Sequence, residues 1–316
     1  MGNNISIYST NKQKFPNPIK GEEEIVWNGK KFVGESYAEG VLVYPMSTSP
    51  TGWNDDLTGF HEEISNGQHP IDKASFDIGI ENLKKYCPIL SNSDGGGAII
   101  EIGCSSGILL RYLWQSFPCT QIVGTDIISK TLHRISKELE KENIPTPLLC
   151  FDVTDCPLAN DSYDAVIALN VLEHIKDHER AVEEIHRILK PGGVFVFEVP
   201  YGEGLFDAYD VQLRHYRRYS DAQILKILNK SGLKQVYFSH LGFFLYPLFW
   251  CVKKLRARYA AVERQQSICE SRLSKNLISK TAGFLPRMIF KIELILGKIV
   301  SYPYGIRCVG VFQKPE

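Results

Sequence analysis

Glu101-Ile102-Gly103-Cys104-Ser105-Ser106-Gly107 is the stretch on which the fold of this 316-residue chain turns. It begins inside a short apolar run, Ala98–Ile102, with the length and composition of a strand buried on both faces. Gly103 closes that run, and a helical segment starts directly after Gly107. Glycines here allow a tight turn and a close approach of backbone to a bound molecule at the start of a helix.

The pattern recurs along the chain. Gln121–Asp126, 148–152, Tyr163–Leu169 and 193–199 are further apolar runs, separated by helix-length segments with 3–4 spacing. One such segment carries Ala181, Ile185, Ile188 and Leu189 and stops at Pro191-Gly192-Gly193. Strands alternating with helices predict an α/β fold built on a parallel, doubly wound, Rossmann-like sheet. Residues 236–242 and 305–312 supply its last two strands, making a seven-stranded sheet.

Residues 91–242 and 304–316 are expected to form this core. Residues 1–90 read as an N-terminal extension or lid. They hold a hairpin of 24–27 and 30–33 about Asn28-Gly29, a loop over 47–67 with Trp53, Phe60 and His61, and a helix from His69-Pro70 toward Tyr86. Residues 243–303 read as a helical insertion. Between Lys253 and Lys298 it carries eleven Lys/Arg against three acids, although the whole chain balances 36 basic with 36 acidic residues.

That overall neutrality argues against a nucleic-acid partner. Eight cysteines show no C-x-x-C pair and no metal-like spacing, so reduced thiols and a cytoplasmic location are expected. The start lacks the apolar run of a secretory signal, though Met1-Gly2-Asn3-Asn4-Ile5-Ser6 fits the short myristoylation pattern. The longest apolar run, 241–252, has twelve residues, against about 20 for a spanning helix.

In a doubly wound sheet, ligands bind outside the carboxyl ends of the strands. Three successive strand ends here carry acids: Glu101, Asp126 and Asp152. A dinucleotide fingerprint would place glycine where Ser105 stands, and Glu101 suits a cationic ligand better than a pyrophosphate. S-adenosylmethionine has an ammonium and a sulfonium that an acidic strand end would favour. Asp126, nineteen residues after Gly107, is positioned to accept the ribose hydroxyls, and Asp152-Val153 to meet adenine. A nicotinamide-dependent oxidoreductase is the rival reading.

These residues, with 164–174 (Asp-Ala-Val-Ile-Ala-Leu-Asn-Val-Leu-Glu-His) and 189–193 (Leu-Lys-Pro-Gly-Gly), resemble the successive motifs of class I methyltransferases. They are most similar to the type 11, ubiquinone-biosynthesis-like domain, over residues 98–240. The resemblance implies an S-adenosylmethionine-dependent methyltransferase acting on a small-molecule or lipid-linked acceptor. It implies donor contacts from Glu101, Gly103, Cys104, Gly107, Asp126, Ile127, Asp152, Val153, Leu169 and Asn170. A catalytically silent scaffold of the same fold is the other alternative.

The acceptor side is less defined. His174 follows the fourth strand and reads either as a base or as a packing residue. His174 and His178 lack a third ligand nearby, so no metal site is expected. In 214–220 (Arg-His-Tyr-Arg-Arg-Tyr-Ser), His215 could remove a proton and Arg214, Arg217 or Arg218 could bind an anion, or Arg218 and Tyr219 could anchor a loop capped by Ser220. His215, with Tyr219 or His174 nearby, is the expected base. The insertion has apolar residues at 285, 288, 289, 292, 295, 296 and 299 opposite Arg287, Lys291 and Lys298, so it reads as a cap over the site or as a peripheral contact with an anionic membrane.

Overall fold

The structure is a computed structural model, which describes residues 13–18, 24–34, 37–46, 69–92, 96–262 and 284–316. Of residues 37–39, 256–262, 284 and 285 only the backbone is described. The loop with Trp53, Phe60 and His61 and the N-terminal acylation pattern lie outside these residues.

Four short strands, β1 Gln13–Phe15, β2 Ile25–Trp27, β3 Phe32–Gly34 and β4 Tyr37–Glu39, form an antiparallel sheet. The hairpin between β2 and β3 turns at Asn28, whose side chain accepts from the backbone of Lys30 and Lys31 at 3.0 Å. Next come β5 Val41–Val43, helix α1 Pro70–Tyr86 with Pro70 in its first turn, β6 Ala98–Ile102, α2 Ile108–Ser116, β7 Gln121–Asp126, α3 Ser129–Lys141 and β8 Leu148–Cys150. Then follow β9 Tyr163–Leu169, α4 His178–Ile188, β10 Leu189–Pro200, α5 Ala208–Gln212, α6 Asp221–Lys230, β11 Lys234–Leu241, α7 Tyr246–Val262, α8 Phe284–Leu296 and β12 Arg307–Gln313.

The main sheet has eight strands in the order β11-β12-β10-β9-β6-β7-β8-β5. Seven are the strands expected from the sequence. The eighth, β5, comes from the N-terminal region and pairs in parallel with β8, Val41 opposite Leu148. β12 runs antiparallel between β10 and β11, so the chain returns to fill a gap instead of extending the edge.

Side chains alternate across the sheet as strand geometry requires. Ile100, Val166, Phe195 and Phe197 enter one core layer, beneath Ile185 and Ile188 of α4 and Ile224 and Leu228 of α6. Ile99, Ala165, Ile167, Val194 and Val196 enter the other, with Leu83 of α1, Leu113 of α2 and Ile135 of α3. Both faces are covered, so β6 is buried at every position.

Chain direction across the sheet reverses at β6, which has β7 on one side and β9 on the other. This switch point opens a crevice at the carboxyl ends of the strands. Phe249 of α7 reaches this crevice, and α8 packs with α1 around Phe290, Ile71 and Ala74. Among the described residues no helix is long and apolar enough to cross a membrane, and the seven described cysteines form no disulfide.

Candidate active site

A cavity of about 510 Å³ occupies the crevice. Its floor is the turn after β6. Gly103 has φ of 73°, and a Cβ there would come within 2.7 Å of Val171 Cγ2. Ser105 also adopts a left-handed conformation, with φ of 43°. A side chain in that region costs about 1–2 kcal/mol. The cost is offset because the Ser105 amide donates to Asp126 Oδ2 at 2.9 Å, a charge-assisted bond tying the turn to the end of β7.

Asp126 is buried, and its Oδ1 accepts from the Ile128 amide at 3.0 Å. Burial pushes its carboxyl above the ordinary range, against the pull of these backbone amides. The amides of Ser105, Ile127 and Ile128 act on this carboxylate, whose two oxygens offer about four acceptor sites, so room remains for a ligand hydroxyl. Glu101 lines the cavity beside it, 5% exposed, with no hydrogen-bond partner on Oε2 among the described residues. Burial, reinforced by the Asp126 charge, pushes the Glu101 carboxyl up to about 8.

Cys104, Ile127, Asp152, Val153, Leu169 and Asn170 also line the cavity. Asp152 caps the following turn, accepting from the Thr154 amide at 2.9 Å and hydroxyl at 2.8 Å. The Asn170 side chain turns into the protein, donating to Glu198 Oε1 at 2.8 Å, so its cavity face is formed by the rest of the residue. Gly107 does not line the cavity. It caps α2 with φ of 69°, and a Cβ would press to 2.8 Å from Ile135 Cγ2, so it serves the packing of α2 on α3.

One wall combines the region expected as an extension or lid with a residue of the last strand that the sequence reading did not single out. His69, Asp72 and Phe76 come from the start of α1, and Arg307 from β12. Arg307 donates to Asp72 Oδ1, Ser75 Oγ and Glu198 Oε1, each at 2.8 Å. These contacts fasten α1 and β12 to the end of β10. A lone arginine inside the apolar strand Arg-Cys-Val-Gly-Val-Phe was the available signal, because a buried cation requires partners.

Glu173, His174, Tyr209, Leu213, His215, Arg218 and, from α7, Phe249 also line the cavity. The imidazoles of His174 and His215 meet edge to face at 4.6 Å between centroids. His215 Nδ1 lies 3.0 Å from Asp210 Oδ1, which Arg218 also reaches at 2.8 Å. Lys253 completes the cluster, 2.9 Å from Asp210 Oδ2 and 2.7 Å from Asp207 Oδ1. Burial opposes ionisation of Asp210, but the hydrogen bonds from His215 and Arg218 and the cationic charge around it hold it well below the usual range. Burial likewise pushes His215 below its ordinary value, partly countered by Asp210. Glu173 is 1% exposed, and neither carboxylate oxygen has a hydrogen-bond partner among the described residues. Burial pushes it up to about 8.

Tyr219 departs from its expected place. It is fully buried, does not line the cavity, and holds His178 Nδ1 at 2.7 Å through its hydroxyl, so it is a pillar beneath α4. Of the three arginines only Arg218 reaches the cavity, since Arg217 binds the Ile175 and Lys176 carbonyls. Lys253 is buried in the Asp210 network instead of facing outward with the basic insertion.

Residues 100–197 match the family model of a methyltransferase domain. An uncharacterised chloroplastic methyltransferase of Arabidopsis thaliana is 30% identical over 187 residues, which cover 56% of this chain and 50% of the relative. A 2-phytyl-1,4-naphtoquinone methyltransferase of Nostoc punctiforme is 28% identical, over 55% of this chain and 70% of its own length. The chain thus spans about half the length of the Arabidopsis relative. Among solved structures, a phosphoethanolamine N-methyltransferase of Haemonchus contortus in complex with S-adenosyl-L-methionine superposes with a TM-score of 0.51 at 19% identity, covering 85% of this chain and 62% of that one. Residues 100–197 therefore match a methyltransferase domain, and the chain shares the Rossmann-like α/β fold of that N-methyltransferase.

Proposed function

We propose that this protein transfers the methyl group of S-adenosylmethionine to an oxygen or nitrogen of a small-molecule or lipid-linked acceptor. One observation carries the reading: Glu101, Asp126, Asp152 and Asn170, from four different strand ends, meet in a single cavity that continues to His174 and His215. Glu101 would face the cationic methionine end, Asp126 the ribose, and Asp152 with Val153 the adenine. The methyl carbon is already activated by the sulfonium, so holding donor and acceptor in line supplies much of the rate. Walls from α1 and α7 exclude water from the transfer. The Glu173–His174–His215 cluster is assigned to taking the acceptor's proton where one must leave.

The Nostoc relative's name specifies a phytyl-bearing quinone, which favours a lipid-linked acceptor here. Residues 244–299 expose Phe244, Leu248, Trp250, Ile292, Ile295 and Ile299 as well as Lys254, Lys291 and Lys298. The one acid among the described side chains of α7 and α8, Glu293, is buried. That composition fits peripheral contact with an anionic lipid surface, while Phe249 and Lys253 of the same α7 turn inward as a cap.

Calorimetry with S-adenosylhomocysteine and with NAD tests the donor assignment. Micromolar binding of the first and none of the second is expected. Tight NAD binding without S-adenosylhomocysteine would replace this reading with an oxidoreductase.

A further inference from the structure

The sequence offers His174 no third ligand nearby, but the fold supplies one. Glu173 and His174 follow β9, and His215 arrives from the loop after α5, forty-one residues later. One ligand atom from each, a carboxylate oxygen and two ring nitrogens, lies within 4.8 Å of the others. Atoms bound to one ion at about 2.1 Å sit some 3 to 4 Å apart, so side-chain shifts of about an ångström would close the set.

Two independent features point to a ligand here. Glu173 is 1% exposed and faces the cavity, yet neither carboxylate oxygen meets a donor among the described residues. A buried carboxyl left this way is costly unless something satisfies it. His215 is turned so that Nδ1 meets Asp210, leaving Nε2 as its remaining ligand atom. A carboxylate behind the ring fixes the orientation and tautomer of metal-bound histidines in the same way. His178, the other candidate in the sequence, is committed to Tyr219.

We propose that Glu173, His174 and His215 bind a divalent transition-metal ion at the acceptor end of the cavity. Two imidazoles and one carboxylate suit zinc or a neighbouring first-row ion, with open positions toward the cavity. Resting on the methyl-transfer reading, the ion replaces proton uptake by the free imidazoles: it binds the acceptor oxygen and acidifies its hydroxyl, as bound water falls from about 15.7 to about 7. The proton leaves to water, an oxygen lone pair forms the bond to the methyl carbon, and the carbon–sulfur bond breaks with its electrons on sulfur. The acceptor class is therefore a hydroxyl compound able to ligate a metal.

Full-length protein, stripped with a chelator, is titrated with Zn²⁺ by calorimetry and with Co²⁺ by visible absorption. S-adenosylhomocysteine binding is measured on the same samples. One ion per chain is expected, with ligand-field bands in the Co²⁺ form. Glu173→Gln and His215→Ala should each weaken binding about tenfold or more, whereas His178→Ala should not. S-adenosylhomocysteine binding with no ion uptake by the wild type overturns the metal site and leaves the donor reading standing. Ion uptake without S-adenosylhomocysteine binding does the reverse. Uptake unchanged in both ligand variants also overturns the assignment, and wild-type stoichiometry decides the matter if a variant does not fold.

Discussion

Glu101 is a buried carboxyl that favours its proton until a cation arrives. Its folded value of about 8 stands above the ordinary 4.5, so its contribution to stability is fully present below about 4.5 and is lost as pH rises through 8. The unliganded chain should therefore melt at lower temperature at pH 8.5 than at pH 5.5, and Glu101→Gln should make that dependence shallower. Binding of S-adenosylmethionine near pH 7 should release up to about one proton, seen as an enthalpy that varies with the buffer's ionisation heat. An identical buffer dependence in Glu101→Gln would contradict the role assigned to this side chain. Asp126→Ala should weaken S-adenosylhomocysteine binding about 100-fold, near 3 kcal/mol, because a charged acceptor for two hydroxyls and the anchor of Ser105 go together. Unchanged affinity would refute the ribose assignment. These acids were legible in the sequence because each ends a recognisable strand. Gly107 lies outside the cavity lining and Tyr219 sits beneath α4, because a motif gives order along the chain but not which way a residue faces.

At the scale of elements, the site depends on segments that sequence periodicity ranked low. β5 has three residues, too few to establish a period of two, and only its pairing with β8 reveals it. α1 was foreseen as a helix, but its place as a cavity wall follows from Arg307, which joins Asp72 and Ser75 to Glu198. Arg307→Met should destabilise the fold by about 3–5 kcal/mol in urea unfolding, since Glu198, 0% exposed, would keep a buried charge without its cation. A loss under about 1 kcal/mol would mean the network is dispensable. The insertion is anchored in a similar manner: Glu293 of α8 accepts from the amides of Gly242, Phe243 and Phe244 at the end of β11. Glu293→Ala should speed amide exchange through α8 while leaving β9 and β10 protected.

Over the whole molecule, net charge is zero while the described insertion shows lysines and exposed apolar side chains together. Composition alone could flag that basic stretch, but it could not separate Lys253, which holds Asp207 and Asp210, from Lys254, which is exposed. Replacing Lys254, Lys291 and Lys298 together with Glu should reduce co-sedimentation with phosphatidylserine vesicles by about 100-fold or more, at about 1 kcal/mol for each cation lost near the surface. Lys253→Ala should instead lower the melting temperature. Co-sedimentation insensitive to the triple change would remove lipid contact from the account. The strands themselves were visible from strand–helix alternation, and His174, His215 and Arg218 were singled out by residue type, whereas their meeting with residues of α1 and α7 was not, because these segments are far apart in sequence.

The most direct test of the central claim is a crystal structure with S-adenosylhomocysteine. The account predicts both ribose hydroxyls within hydrogen-bond reach of Asp126, adenine beside Asp152 and Val153, and the sulfur turned toward His174 and His215. A ligand bound with its ribose away from Asp126, or with its sulfur facing away from those histidines, would contradict it.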